Sequence, residues 1–307
     1  MPFAVRSHFD WRLRTRSLAL GPRTLVMGIL NATPDSFSDG GQFLDPRVAL
    51  THALQMLDEG ADILDLGGES TRPNATPITP AEEQERVLPV LRAILAARPD
   101  AILSIDTTHA ETARLAIEAG AEIVNDVSGF LWDEEMAATC DSLNCGVVLM
   151  HTRGRPQEWR SLPALAPDEV LPLVLRELEE RLQAALVAGI RREAIVLDPG
   201  FGFGKAFDEN FPLLAQFDRL HSLGFPLLVG LSCKGFLRRA SQQKDQPLAE
   251  PMRALQDATT AANTAAILAG AHILRVHDVC LAREAGAIAD RILAAVATTT
   301  QPPKPFS

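Results

Sequence analysis

The chain has 307 residues, 47% of them hydrophobic and 22% charged, which is ample for a sizeable buried core. Its net charge of −10, from 39 acidic against 29 basic residues, argues against general binding to nucleic acid or an anionic membrane but permits a local basic pocket. No apolar run approaches the ~18 residues of a membrane span. The N-terminal MPFAVRSHFDWRLRTRSLAL lacks the apolar core of a signal peptide, and Cys140, Cys145, Cys233 and Cys280 form no CxxC pair or disulfide framework. These features read as a cytoplasmic protein in a reducing compartment.

In chain order, residues 1–23 precede the first long apolar run. Leu18-Ala19-Leu20-Gly21-Pro22 reads as a turn, so this N-terminal extension is expected to form a small hairpin covering the bottom of the main domain. Eight short strands are then expected, at about 24–30, 62–67, 102–106, 122–127, 146–151, 195–198, 226–231 and 272–276. All are mostly apolar rather than alternating, as strands covered on both faces are. Helical stretches lie between them. Asp45 and Pro46 suit the N-cap and first position of one helix, which Gly60 ends. Thr79-Pro80-Ala81-Glu82 is a capping box for the next. PDEVLPLVLRELEERLQAALVAGI is long and amphipathic, with Pro172 in its first turns. The segments GADILDL, AGAEIVNDV and AGAHILRVHDV look like variants of one unit in which glycine stops a helix before a buried strand.

Eight βα units predict a (β/α)8 TIM barrel over 24–298, as a single domain followed by a frayed tail at 299–307. A doubly wound open sheet shares the local pattern and is the alternative.

Each strand runs into polar or glycine-rich sequence at its C-terminal end. The first gives Asn31 and the loop to Gly41, and the second gives Asp65 and GGESTRP to Pro73. Asp106, Asn125-Asp126 and His151 end the next three. Asp198 with PGFGFGK, then Ser232-Cys233-Lys234, then Arg275, His277 and Asp278 end the last three. In a parallel barrel all of these meet on one face, where such folds build their sites. Singly, each has a bland alternative. Asp106 fits a helix cap, Asp198-Pro199-Gly200 an ordinary turn, Lys234 a solvated rim, and His277 a structural hydrogen-bonder. GFGFGK lacks Walker spacing and is a weak phosphate signal, and Cys140 and Cys145 suit a core better than a metal. Together, Asp106, Asn125, Asp198 and Lys234 offer acceptors and donors matching a flat heterocycle rich in N–H and C=O groups. Arg275 and His277 suit phosphate oxygens, and Asn31 offers an oxygen ligand to Mg2+.

The stretches MGILNATPDSFSDGG, GADILDLGGESTRP, SIDTT, IVNDVSG, VVLMHTRG, IVLDPGFGFGK, LLVGLSCK and ILRVHDV run in order from residue 27 to 279. In them the chain resembles the dihydropteroate synthase family of folate biosynthesis. The resemblance implies the same TIM barrel and a transferase reaction. 6-Hydroxymethyl-7,8-dihydropterin diphosphate loses pyrophosphate by an SN1-like path, and the amine of p-aminobenzoate takes its place, giving 7,8-dihydropteroate. It implies catalytic roles for Asp106, Asp198, Lys234, Arg275 and His277, and pterin binding by Asp106, Asn125, Asp198 and Lys234. Asn31, Asp65, Arg275 and His277 are implied at the diphosphate, with Asn31 on Mg2+. Thr71, Arg72, Pro73, Phe203 and Lys234 are implied at p-aminobenzoate, and Asp35, Phe37, Gly40 and Gly41 in a mobile loop that closes over the substrates. A homodimer through the alanine-rich helices near 258–298 and sensitivity to sulfonamides are also implied. The other readings are a pterin-binding methyl-transfer module, which needs no NATPDSFSDGG loop, and a non-catalytic paralogue that only binds pterin.

Three positions depart from the family pattern. Cys233 and Gly235 stand where Arg and Ser are usual, and Asn74 where Gly is common. The expectation is altered affinity for p-aminobenzoate or sulfonamides.

Overall fold

A computed structural model of the chain describes residues 3–32, 46–69, 77–241 and 250–299, with side chains to residue 296. Two antiparallel strands open it, β1 (Phe9–Arg12) and β2 (Ser17–Leu20). The eight parallel strands come next: β3 (Leu25–Asn31), β4 (Ile63–Gly67), β5 (Leu103–Asp106), β6 (Ile123–Asp126), β7 (Gly146–Met150), β8 (Ile195–Asp198), β9 (Leu228–Val229) and β10 (Ile273–Val276). Each pairs with its sequence neighbour, and β10 pairs back with β3. The ring closes between β8 and β9 through a single parallel bridge, Leu197 to Leu227, where Leu197 N donates to Pro226 O at 3.0 Å. This is the barrel expected from eight βα units and excludes the open sheet. The seventh barrel strand is shorter than expected because Pro226 has no N–H to add to the ladder and the chain turns away after Gly230.

The helices are α1 (Pro46–Asp58), α2 (Pro80–Ala97), α3 (Ala110–Glu118), α4 (Met136–Leu143), α5 (Val170–Val187), α6 (Asn210–Ala215), α7 (Gly235–Ser241), α8 (Pro251–Leu268) and α9 (Val279–Thr299). The capping box expected at α2 forms. Glu82 N donates to Thr79 Oγ1 at 3.3 Å, and Thr79 N donates back to Glu82 Oε2 at 2.8 Å. The expected cap Asp45 lies outside the described residues.

Alternate residues of each strand serve two different cores. Val26, Leu64, Leu66, Leu103, Ile105, Val124, Val147, Leu149, Leu197 and Leu274 face outward and pack against the helices. Leu25, Met27, Ile63, Ile123, Val148, Val196, Leu228 and Ile273 face inward and fill the lower half of the barrel. Two apolar faces explain the lack of alternation in the sequence. One step of two residues further along, the inward set turns polar: Ile63 gives way to Asp65, Ile123 to Asn125, Val196 to Asp198 and Ile273 to Arg275.

The hairpin forms, but not with the expected turn. Leu18–Leu20 belongs to β2, and the chain reverses at residues 13–16, where Leu13 N bonds Arg16 O at 2.9 Å. Burial decides this. Trp11, Leu13 and Leu20 are all within 1% of full burial against the inward layer, and Trp11 Nε1 donates to Ala194 O at 2.8 Å. The β-hairpin is therefore a plug in the barrel floor. Trp11→Ala should destabilise the protein by about 3–5 kcal/mol, the range for truncating a buried aromatic, read as a lower urea midpoint by far-ultraviolet circular dichroism.

Candidate active site

Register places the upper inward residues side by side. Asp106 is level with Gly67 and Asn125, and Asp198 is level with Met150. The centre of the cup is an ion-pair network. Arg275 donates from Nε to Asp65 Oδ2 at 2.6 Å and from Nη2 to Asp106 Oδ2. Asn125 Nδ2 donates to the same Asp65 oxygen at 2.9 Å, while Asp65 Oδ1 is buried without a partner. Burial alone would pull the Arg275 guanidinium down, but Asp65 and Asp106 more than offset it, so it stays charged. Burial pushes the Asp106 carboxyl up to about 7, against the pull of Arg275 and with help from Asp65, Glu83 and Asp126.

Across the cup, burial also raises Asp198, whose Oδ1 accepts from Gly200 N at 2.7 Å. Asp198 is thus both turn former and pocket wall, and the two readings of its motif hold together. Gly200 is obligatory there: its φ is +66°, and a Cβ would collide with the backbone oxygen of His151. Burial and Arg275 bring the Lys234 ammonium down to about 8, while Asp198 and Asp106 pull the other way. Its Nζ lies 4.1 Å from the centre of the Phe203 ring. Phe203 joins Val127, Met150, Trp132 and Trp159 in an apolar wall.

Asn31 is half-buried at the rim end of β3. His277 is exposed at the rim of β10, where Nδ1 is 3.0 Å from Ser232 Oγ and its backbone N donates to the same oxygen at 3.2 Å. One serine therefore fixes both ring and backbone. Asp35, Phe37, Gly40, Gly41, Thr71, Arg72, Pro73 and Asn74 lie outside the described residues.

The structure sorts the polar residues that end the strands. Arg275, expected at the diphosphate, ion-pairs with Asp65 and Asp106. Asp126 faces away and holds its own turn, accepting from Ser128 N and Phe130 N. His151 is fully buried beside Glu177 of α5 at 3.0 Å, and Asp278 caps α9 through Leu281 N at 3.0 Å. The period of two explains this: Asn125 and Met150 point in, so Asp126 and His151 point out. Lys205 of GFGFGK is buried and donates to Gly200 O and Phe203 O, so it braces its own loop. Asp106 is not a cap; His109 precedes α3. Cys140 and Cys145 are core residues. Cys233 takes a left-handed φ of +58°, uncommon for a residue with a side chain. The wall residues Val127 and Met150 escaped the sequence reading, although each sits two positions beyond an inward residue.

The family model described as "Pterin binding enzyme" matches residues 27–277. The chain belongs to that family. Within it, the dihydropteroate synthase of Synechocystis sp. is 42% identical over 271 residues, covering 88% of each chain. Dihydropteroate synthase from Xanthomonas albilineans, solved with 4-aminobenzoic acid, superposes with a TM-score of 0.81 at 39% identity, covering 95% of this chain and all of that one. The Yersinia pestis dihydropteroate synthase in a sulfonamide drug complex gives 0.83 at 37% identity, covering 94% and 100%.

The cup's titrations set a pH window. A ligand that donates N–H groups to Asp106 binds its ionised form, so affinity should fall as pH drops through about 7. A ligand carbonyl held by Lys234 needs the ammonium, so affinity should fall again as pH rises through about 8. Titrating a pterin into the protein by calorimetry from about pH 5.5 to about 9.5, on either side of both groups, should trace this bell, and a flat profile would contradict it.

Proposed function

We propose that the chain is a dihydropteroate synthase, joining 6-hydroxymethyl-7,8-dihydropterin diphosphate to p-aminobenzoate in folate biosynthesis. The observation that carries this reading is the single cup in which Asp106, Asn125, Asp198 and Lys234 surround a charged centre held by Arg275 and Asp65. Its carboxylates accept N–H groups of a heterocycle, Lys234 donates to a ring oxygen or nitrogen, and Phe203, Met150 and Val127 cover an aromatic face.

The C–O bond from the pterin methylene to the diphosphate breaks first, its electron pair leaving with pyrophosphate. The amine of p-aminobenzoate then attacks the methylene, forms the C–N bond and releases a proton. In their ionised forms Asp106 and Asp198 offset the positive charge of the methylene stage from fixed positions, which needs no reorganisation at the moment of reaction. His277 and Ser232 stand at the rim where the leaving group departs. Mg2+ belongs to this reading. Asn31, half-buried at the same rim, would supply a hard oxygen donor to the ion. When bound, the ion neutralises charge on the diphosphate.

Thr71, Arg72, Pro73, Phe203 and Lys234 border the p-aminobenzoate in this reading, and Asp35, Phe37, Gly40 and Gly41 belong to the loop that shields the cation from water. A homodimer through the alanine-rich helices near 258–298 belongs to this reading. Among the described residues no helix is long and apolar enough to cross a membrane, and four free thiols suit a reducing cytoplasm.

Purified protein mixed with the pterin diphosphate, p-aminobenzoate and Mg2+ should release pyrophosphate and dihydropteroate in equal amounts. Asp106→Ala, Asp198→Ala and Lys234→Ala should each lower kcat/KM by about 100-fold or more; full rates in all three would end the reading. Restoring the usual residues, Cys233→Arg with Gly235→Ser, should change the KM for p-aminobenzoate and sulfonamide inhibition while sparing the pterin KM. Unchanged values would show that these departures are neutral.

A further inference from the structure

Behind Asp106 lies a second buried carboxylate that the proposed reaction does not use. Glu83 sits in the first turn of α2 and is fully buried. Its Oε2 accepts from Thr107 Oγ1 at 2.7 Å and lies 3.0 Å from His109 Nδ1, while its Oε1 is buried without a partner. Thr107 directly follows Asp106, and its hydroxyl also accepts from His109 N at 3.1 Å.

Glu83 supports the neighbouring strand end as well. Gly68, just past β4, packs so closely that a Cβ there would stand 2.9 Å from Glu83 Cγ and 2.8 Å from Val87 Cγ1. Arg86, on the same helix, donates to Gly68 O at 2.9 Å. Glu69 brings a carboxyl oxygen within 4.8 Å of ligand atoms of both Glu83 and His109 and takes Ile78 N at 3.4 Å. A lone glutamate buried in a helix is costly unless something else needs it. Two of the residues packed against it flank the pocket wall: Gly68 directly follows Gly67, and Thr107 directly follows Asp106.

We infer that Glu83 is a positioning residue for the reaction. The Glu83 carboxylate braces the turn after Asp106 through Thr107 and His109, and its methylene stem packs under the turn after Gly67. Its charge adds to burial and Asp65 in holding the Asp106 carboxyl up. Lying outside the cup, it acts through Thr107 and through the field. The charged groups around it are Glu69 after β4, Arg86 on α2, His109 before α3, Asp133 before α4 and, across the wall, Asp106 with Arg275. The Glu83 hydrogen bond raises the His109 imidazole, and burial raises the Glu69 carboxyl.

The inference rests on the synthase reading, and wild-type turnover separates the two: a wild-type protein without turnover ends that reading, not this one. Two variants separate the brace from the charge. Glu83→Gln keeps the shape and removes the negative charge. Without that neighbour Asp106 ionises more readily, so the acid limb of kcat/KM for the pterin diphosphate should move to lower pH, by about half a unit, with a fall in kcat of about tenfold. Thr107→Val removes the brace but leaves the charge, so kcat should fall while the acid limb stays in place. A Glu83→Gln protein with the wild-type limb and kcat would overturn the inference. If Glu83→Gln does not fold, Thr107→Val decides alone: wild-type kcat and pterin KM would overturn it, and a lowered kcat with an unmoved limb would support it.

Discussion

A guanidinium held between two carboxylates organises the upper half of this barrel. Arg275 reaches partners 210 and 169 residues away in sequence, on strands that stand beside and beyond β3. Left alone, Asp65 and Asp106 would each carry a desolvation cost of several kcal/mol and would repel one another. With Arg275 between them, a charged layer can rest directly on an apolar one. Asn125 joins through Asp65, and Lys234 feels both Arg275 and the carboxylates. The acidity of each group in the cup is therefore a property of the set.

The same strands that place these charges also build the floor beneath them. An inward position holds Ile63, Ile123, Val196 or Ile273 in one layer and Asp65, Asn125, Asp198 or Arg275 in the next. Four apolar residues lost to solvent below would weaken the platform on which four polar ones are aligned. The N-terminal hairpin prevents that by seating Trp11, Leu13 and Leu20 under the floor. The extension is thus part of the site's support, although it contributes nothing to the cup's chemistry.

Much of this was legible in the chain. Gly60, Gly120, Gly189 and Gly270 after α1, α3, α5 and α8, and the short apolar runs that follow the helices, located the strands to within a residue or two, because left-handed caps and doubly covered strands leave strong local marks. The cup residues were legible because they end those strands. Which of two adjacent polar residues faces inward was not legible: with both strand faces apolar there is no alternation to phase Asn125 against Asp126. The hairpin turn was misplaced because Gly21-Pro22 is a stronger local signal than Arg14-Thr15-Arg16, while the burial of Leu20 is a tertiary fact. Glu83 was invisible for a related reason. Within AEEQER it looks like one more solvated helix charge, and only contacts with Thr107 and His109, 24 and 26 residues on, reveal otherwise.

The plugged floor makes the barrel a blind-ended well with one opening. A molecule seated on the polar layer must arrive before anything that rests above it, and it can depart only after its cover has gone. Ordered traffic then results from plumbing: with the floor closed by Trp11, Leu13 and Leu20, whatever rests deepest is the first to enter and the last to leave.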